Sequence, residues 1–183
     1  PALSGHRFYN GVYKMDPRSE VVLRQQEFLS GSVLLVNAPC DELNTQLIGT
    51  VEPHFWTWNF NELQYFQNQQ SDVHFGTDLP DVAFDQAIVF VPKSKELLNY
   101  VLHQLVSRLA VGASIFLVGE KKGGVERASK QLQPFGKTLK LDSARHCQMW
   151  QLVTEKTVTA KPLADWAQLY LSLIHISEPT RLG

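Results

Sequence analysis

The sequence is short of several things, and each shortage excludes a class of protein. Only two cysteines occur among 183 residues, Cys40 and Cys147, far apart along the chain. They form neither a disulfide framework nor a zinc-ligand spacing, and read as two buried free thiols in a reducing compartment. No run of about 18 apolar residues is present, so no membrane-spanning helix is expected. Residues 1–14 lack the apolar segment of a secretory signal. A cytoplasmic protein with no membrane partner is the resulting expectation. The histidines His54, His74 and His103 stand at no ligand spacing, so they read as structural and no metal is expected. Neither a short-period repeat nor a low-complexity segment appears.

Basic residues are scarce in one half. Residues 15–92 hold 2 basic and 11 acidic side chains, whereas residues 93–170 hold 12 basic and 6 acidic. The split has two readings. The second half faces a polar partner such as nucleic acid or a neighbouring domain, or the two halves present solvated faces that attract each other.

The two ends read differently from the middle. Leu171-Ser172-Leu173-Ile174-His175-Ile176-Ser177-Glu178-Pro179-Thr180-Arg181 resembles a translated adapter used in preparing sequencing libraries, which predicts that the coding sequence is interrupted near Tyr170. Met15-Asp16-Pro17-Arg18 looks like a natural start, with Asp16 or Ser19 as helix cap. The expected organisation is a leader over 1–14, one domain over 15–153, the start of a linker over 154–170 and an adapter-derived tail over 171–183.

What is present between those ends is a regular alternation. Residues 18–29 read as a short amphipathic helix, and Ser32-Val33-Leu34-Leu35-Val36-Asn37 as a strand buried on both faces. A helix over 41–48, an aromatic strand over 55–58, a helix begun by Asn59 or Asn61 and a brief strand over 73–75 follow. The strand over 87–91 ends at Pro92, and Ser94 caps a helix through Ala110 whose leucines and valines repeat at helical spacing. A strand over 114–119, a helix opened by Gly123-Gly124, and two strands over 137–141 and 147–153 close the chain. Strand–helix alternation implies right-handed crossovers and a doubly wound α/β sheet. The last two strands have no helix between them, which predicts an antiparallel final strand.

Three patches carry a resemblance. They are Pro17-Arg18-Ser19-Glu20-Val21-Val22-Leu23-Arg24, Val91-Pro92-Lys93-Ser94-Lys95, and Val118-Gly119-Glu120-Lys121-Lys122-Gly123-Gly124-Val125 with Leu141-Asp142-Ser143-Ala144-Arg145-His146-Cys147. In this order they resemble the amino-terminal domain of the RsmC family over about residues 15–170. The resemblance implies a two-domain enzyme of related Rossmann-like halves. It places S-adenosylmethionine, and methylation of the 2-amino group of a guanine in small-subunit ribosomal RNA, in a carboxy-terminal half. Neither the glycine-rich cofactor loop nor the Asn-Pro-Pro-Phe-type motif of that half falls within these residues. The amino-terminal half is implied to be a degenerate copy that helps to hold the fold and the RNA, with the catalytic half and the 30S subunit or its RNA as partners. The expected fold is therefore a Rossmann-like, methyltransferase-like α/β sheet with a degenerate cofactor site.

The residues agree with that expectation. A methyl donor needs glycines after the first strand and an acid after the second. Here the first strand runs into Asn37-Ala38-Pro39-Cys40-Asp41, and Glu62 is the only acid near Trp58-Asn59-Phe60-Asn61. A target base needs an Asp or Asn and an aromatic around a proline after the fourth strand. Phe90-Val91-Pro92-Lys93-Ser94-Lys95 keeps the proline alone. No catalytic and no cofactor-binding residue is expected in this chain. Lys93, Lys95, Lys121, Lys122, Arg127 and Arg145 are the candidate RNA-binding side chains. The same lysines also read as solvated residues at helix starts, and Arg145 as a partner of Asp142. Gly119-Glu120-Lys121-Lys122-Gly123-Gly124 lacks a Walker spacing; it reads either as a one-phosphate loop or as a turn needing glycine. Trp56, Trp58, Tyr65 and Phe66 read as core rather than as a stacking platform. A stand-alone protein- or RNA-interaction domain, and a small nucleotide-using enzyme, are the competing functions.

Overall fold

The computed structural model describes residues 14–155 and 158. Residues 1–13 of the leader expected over 1–14, most of the linker and the adapter-like tail lie outside the described residues. Among the described residues seven strands form one sheet: β1 (Ser32–Val36), β2 (Glu52–Thr57), β3 (Val73–Phe75), β4 (Gln86–Phe90), β5 (Ser114–Glu120), β6 (Gly136–Ala144) and β7 (Cys147–Thr154), in the order β3-β2-β1-β4-β5-β7-β6. The first five run parallel, and β7 inserts antiparallel between β5 and β6. The antiparallel final strand expected from the missing crossover helix is thus present, and its position inside the sheet is what the topology adds.

Burial on both faces explains the continuous apolar runs. Val33, Leu34, Leu35 and Val36 are all fully buried, as are Ala87, Ile88, Val89 and Phe90. One face packs on α1 (Pro17–Arg24), α2 (Leu43–Leu47) and α3 (Phe60–Asn68) through Val21, Val22, Leu43, Leu47 and Phe66. The other packs on α4 (Lys95–Arg108), α5 (Val125–Ser129) and the 3₁₀ turns over Lys130–Phe135. The long helix forms because the Oγ of Ser94 accepts the amide of Leu97 at its start and Arg108 sits in its last turn. Its apolar stripe then buries Leu98, Val101, Leu102 and Leu105. The helix expected over 18–29 ends at Arg24, because Gln25 leaves the helical region and a 3₁₀ turn follows. Similarly, α5 stops at Ser129, since Pro134 cannot donate to a continued ladder and the chain tightens to 3₁₀ before it.

Trp56, Trp58 and Phe66 are buried core residues, with Trp56 donating its ring N–H to the carbonyl of Gly76 at 3.0 Å. Tyr65 is half-buried and donates its hydroxyl to the carbonyl of Asp41 at 2.9 Å. Cys147 is buried, whereas Cys40 is only half-buried, which corrects the expectation of two buried thiols. Burial, with Glu62 and Asp41 nearby, pushes the Cys40 thiol up to about 12, so it is a poor nucleophile.

The hairpin between β6 and β7 departs from expectation. Strand β6 extends to Ala144 with a bulge between Lys140 and Asp142, and only Arg145 and His146 turn. Both are left-handed, with φ of 56° and 62°. A two-residue turn of that hand matches the twist of its strands, but costs a non-glycine residue about 1 kcal/mol or more. Asp142 therefore lies on the strand and not in the turn. It accepts from Arg24 at 2.9 Å and from Gln25 at 2.9 Å, while Arg145 donates to Glu20 at 2.5 Å. The expected Arg145–Asp142 pair is thus replaced by two contacts that clamp α1 to the hairpin. Replacing His146 by Gly should stabilise the protein by about 1 kcal/mol, seen as a higher urea midpoint at unchanged slope.

Candidate nucleic-acid interface

At the carboxyl ends of β1 and β2 the polar side chains are bonded to the chain itself. Asn37 leaves β1 left-handed, with φ of 62°. Its side-chain amide donates to the carbonyl of Phe90 at 3.1 Å, and its backbone amide to that of Trp56 at 3.0 Å. Asp41, 3% exposed, spends its carboxylate on two backbone donors, Asp16 at 2.9 Å and Leu43 at 3.0 Å. Asp16 in turn holds Arg18 by two side-chain bonds of 2.9 Å, and the guanidinium lies 5.8 Å from the centre of the Phe90 ring. Glu62 accepts the hydroxyl of Thr57 at 2.5 Å. The loop from Asn37 to Asp41 has no glycine, and Asp41 and Glu62 are both engaged with the chain's own groups.

Burial sets the charges at this edge. It pushes the carboxyls of Glu62 and Asp41 upward, against hydrogen bonds that favour their ionised forms. Asp16 is also raised by burial, but its bonds to Arg18 outweigh that and hold it below the usual carboxylate range.

At the carboxyl ends of β4 and β5 the chain builds a pocket. The loop Val91-Pro92-Lys93-Ser94 crosses from β4 to α4, and α5 begins beside it at Gly124, whose φ of 89° requires glycine freedom. The pocket has a volume of about 350 Å³, and its lining includes Pro92, Leu98 and Ala128 together with Lys93, Lys95, Arg127 and Lys130. Those four cations are exposed, and among the described residues none takes part in an ion pair. Gln131 donates to the carbonyl of Lys95 at 3.0 Å and ties the two walls together. Sequence reading missed Lys130. The signal was its place three residues after Arg127, one turn along the same helical surface.

Three of the six candidate RNA-binding residues, Lys93, Lys95 and Arg127, therefore share one pocket. Lys121 and Lys122 are exposed on the neighbouring turn, whose Lys121 amide donates to the carbonyl of His146 at 2.8 Å. Arg145 stands apart, paired with Glu20. The phosphate-loop reading of Gly119 to Gly124 is not supported. The amides of Gly123 and Gly124 already donate to the carbonyls of Glu120 and Lys121, at 3.0 and 3.1 Å, and α5 has only five residues. The glycine turn is the correct reading.

The histidines need a second correction. His103 is structural, with its ring 5.0 Å from that of Phe135. His54 and His74, though, meet around Asp72, which lies 2.5 Å from one and 3.0 Å from the other. Adjacent strands bring together residues that sequence spacing keeps apart.

Glu62 yields a test with a definite sign. Its carboxyl is raised in the folded state, so the folded protein favours the protonated acid, and stability is lost as pH rises through the ordinary value and then the folded one. Glu62→Gln should therefore be more stable than the parent at neutral pH, with the gain vanishing on the acid side of the carboxylate range. Urea midpoints across that range would show it.

The comparisons with known proteins agree with this architecture. Residues 19–170 match the family described as methyltransferase small domain N-terminal. The ribosomal RNA small subunit methyltransferase C of Acinetobacter baumannii is 58% identical over 166 residues, covering 91% of this chain and 49% of that protein. Its namesake from Pseudomonas putida is 48% identical over 157 residues, covering 85% and 46%. The chain thus spans about half the length of the curated relatives it matches. Among solved structures, the T. thermophilus 16S rRNA N2 methyltransferase RsmC, in complex with AdoMet and guanosine, aligns with a TM-score of 0.67 at 17% identity, over 81% of this chain and 41% of its own. That likeness bears on the fold, a Rossmann-like methyltransferase sheet. With most of its length matched by the family model, the chain belongs to the methyltransferase small domain N-terminal family.

Proposed function

We propose that this chain is the amino-terminal half of an S-adenosylmethionine-dependent small-subunit ribosomal RNA guanine-N2 methyltransferase. In this reading it holds RNA and supports the fold, while methyl transfer belongs to a carboxy-terminal half. The observation that carries the proposal is the 58% identity over 166 residues to a protein named ribosomal RNA small subunit methyltransferase C, of which the chain spans 49%. The same reading places the protein in the cytoplasm, with the 30S subunit or its RNA and the carboxy-terminal half as partners, and assigns the domain to residues 15–153 with a linker over 154–170.

The rebuilt edge at Asn37, Asp41 and Glu62 supports a half without its own donor or catalytic residues. The edge at β4 and β5 supports RNA contact. Lys93, Lys95, Arg127 and Lys130 gather at a concave site, with Lys121 and Lys122 beside it. Lysine meets a phosphate as a point charge and arginine as a planar fork. Arg145 contributes less, because Glu20 already neutralises it.

Joint replacement of Lys93, Lys95, Arg127 and Lys130 by Ala, in the chain joined to its carboxy-terminal half, should weaken binding to small-subunit RNA. The slope of log affinity against log salt should fall by about 3, the counterion release of four phosphate contacts. An unchanged slope would remove these residues from the interface. Calorimetry of this chain with S-adenosylmethionine should show no saturable binding. Micromolar binding abolished by Asp41→Ala would overturn the assignment of the donor to the other half.

A further inference from the structure

We propose that His54, Asp72 and His74 form a binding site for one divalent cation of the zinc class at the β3 edge of the sheet. The site is independent of the methyltransferase reading, since it uses β2, β3 and the residue just before β3, whereas the basic pocket lies at the carboxyl ends of β4 and β5.

The ligand atoms of the three residues all lie within 4.8 Å of one another. His54 presents Nδ1 and His74 presents Nε2 to the same carboxylate oxygen of Asp72, at 2.5 and 3.0 Å. Backbone pairing fixes this arrangement. Trp56 is in register with His74 on the parallel strands, and the amide of Phe55 donates to the carbonyl of Asp72 at 2.8 Å. Side chains two apart on one strand share a face, so His54 lies beside Asp72 as Trp56 lies beside His74. Two imidazoles and one carboxylate are a donor set that zinc accepts, with a fourth position left for water.

Groups around the triad suit a ligand role. The other ring nitrogen of His54 lies 3.7 Å from Oε2 of Glu52, whose Oε1 accepts the hydroxyl of Ser32 at 2.9 Å. That separation of 3.7 Å is too long for a hydrogen bond, so Glu52 adds negative charge near the site without fixing the ring. His54 is anchored at 7% exposure, while Asp72 is exposed and His74 half-buried, so a cation can enter from solvent. Strand β3 has only three residues and, among the described strands, pairs with β2 alone. A cation shared between the two strands would clip this short edge in place and stabilise the folded state in proportion to its occupancy.

Calorimetry and thermal melting of the chain with zinc test the site. One equivalent of zinc should bind saturably and raise the melting temperature by several degrees, with no such rise from magnesium at the same concentration. The exposed-site variants Asp72→Asn and His74→Gln should fold and lose at least about tenfold in zinc affinity, together with the thermal gain. Cobalt(II) substitution should give a spectrum free of the thiolate band, which separates this site from Cys40. The proposal is overturned by the absence of saturable zinc binding at millimolar metal, by unchanged binding in both variants, by an equal response to magnesium, or by a thiolate band.

Discussion

The carboxylate of Asp41 is the contact on which much of this domain depends. It is almost wholly buried, and each of its oxygens accepts a backbone amide, one from Asp16 ahead of α1 and one from Leu43 at the start of α2. Burying a carboxylate is costly unless its lone pairs are satisfied. Here they are satisfied by the chain itself. That choice draws the start of α1 onto the carboxyl edge of the sheet, where Asp16 fixes Arg18 above Phe90. Once α1 is seated, Glu20 and Arg24 reach Arg145 and Asp142 on the distant hairpin. This carboxyl edge of the sheet is therefore an internal seam.

The charge asymmetry of the sequence resolves into two behaviours. Some of it is internal: Glu20 pairs with Arg145 across 125 residues, tying the acidic half to the basic half. Exposed pairs of this kind contribute little to stability on their own, so their value lies in setting where α1 sits. The rest remains outward. Lys93, Lys95, Arg127 and Lys130 have no ion-pair partner among the described residues and converge on one concavity. Four like charges at one site repel one another and favour an anionic neighbour. The internal pairs account for the reading in which the two halves attract each other.

Much of the architecture was legible along the chain. The strands over Val33 to Val36 and Ala87 to Phe90 announced themselves because a parallel sheet covered on both faces needs unbroken apolar runs. Ser94 and Asn59 marked their helices because a side-chain oxygen before an amphipathic segment satisfies its first amides. The turn at Arg145-His146 is less legible: neither residue is the usual occupant of a left-handed turn, so the sequence ends the first hairpin strand three residues early, while the start of the second agrees. Likewise Lys130 escaped notice, because its membership of the basic group depends on α5 and the following turns packing beside the start of α4.

By itself the sequence determined the alternation of elements, their faces, the absence of donor-binding glycines after the first strand and the candidate cations. All of these follow from local rules of period, capping and side-chain chemistry, which act over a few residues. Tertiary structure alone decided which cations share a pocket, which acids are spent on backbone amides, and that His54 and His74 meet at Asp72. The physical reason is register: hydrogen bonding between parallel strands joins residues far apart in the chain, such as Phe55 and Val73, and no spacing rule along the chain reports which residues will face each other across a sheet.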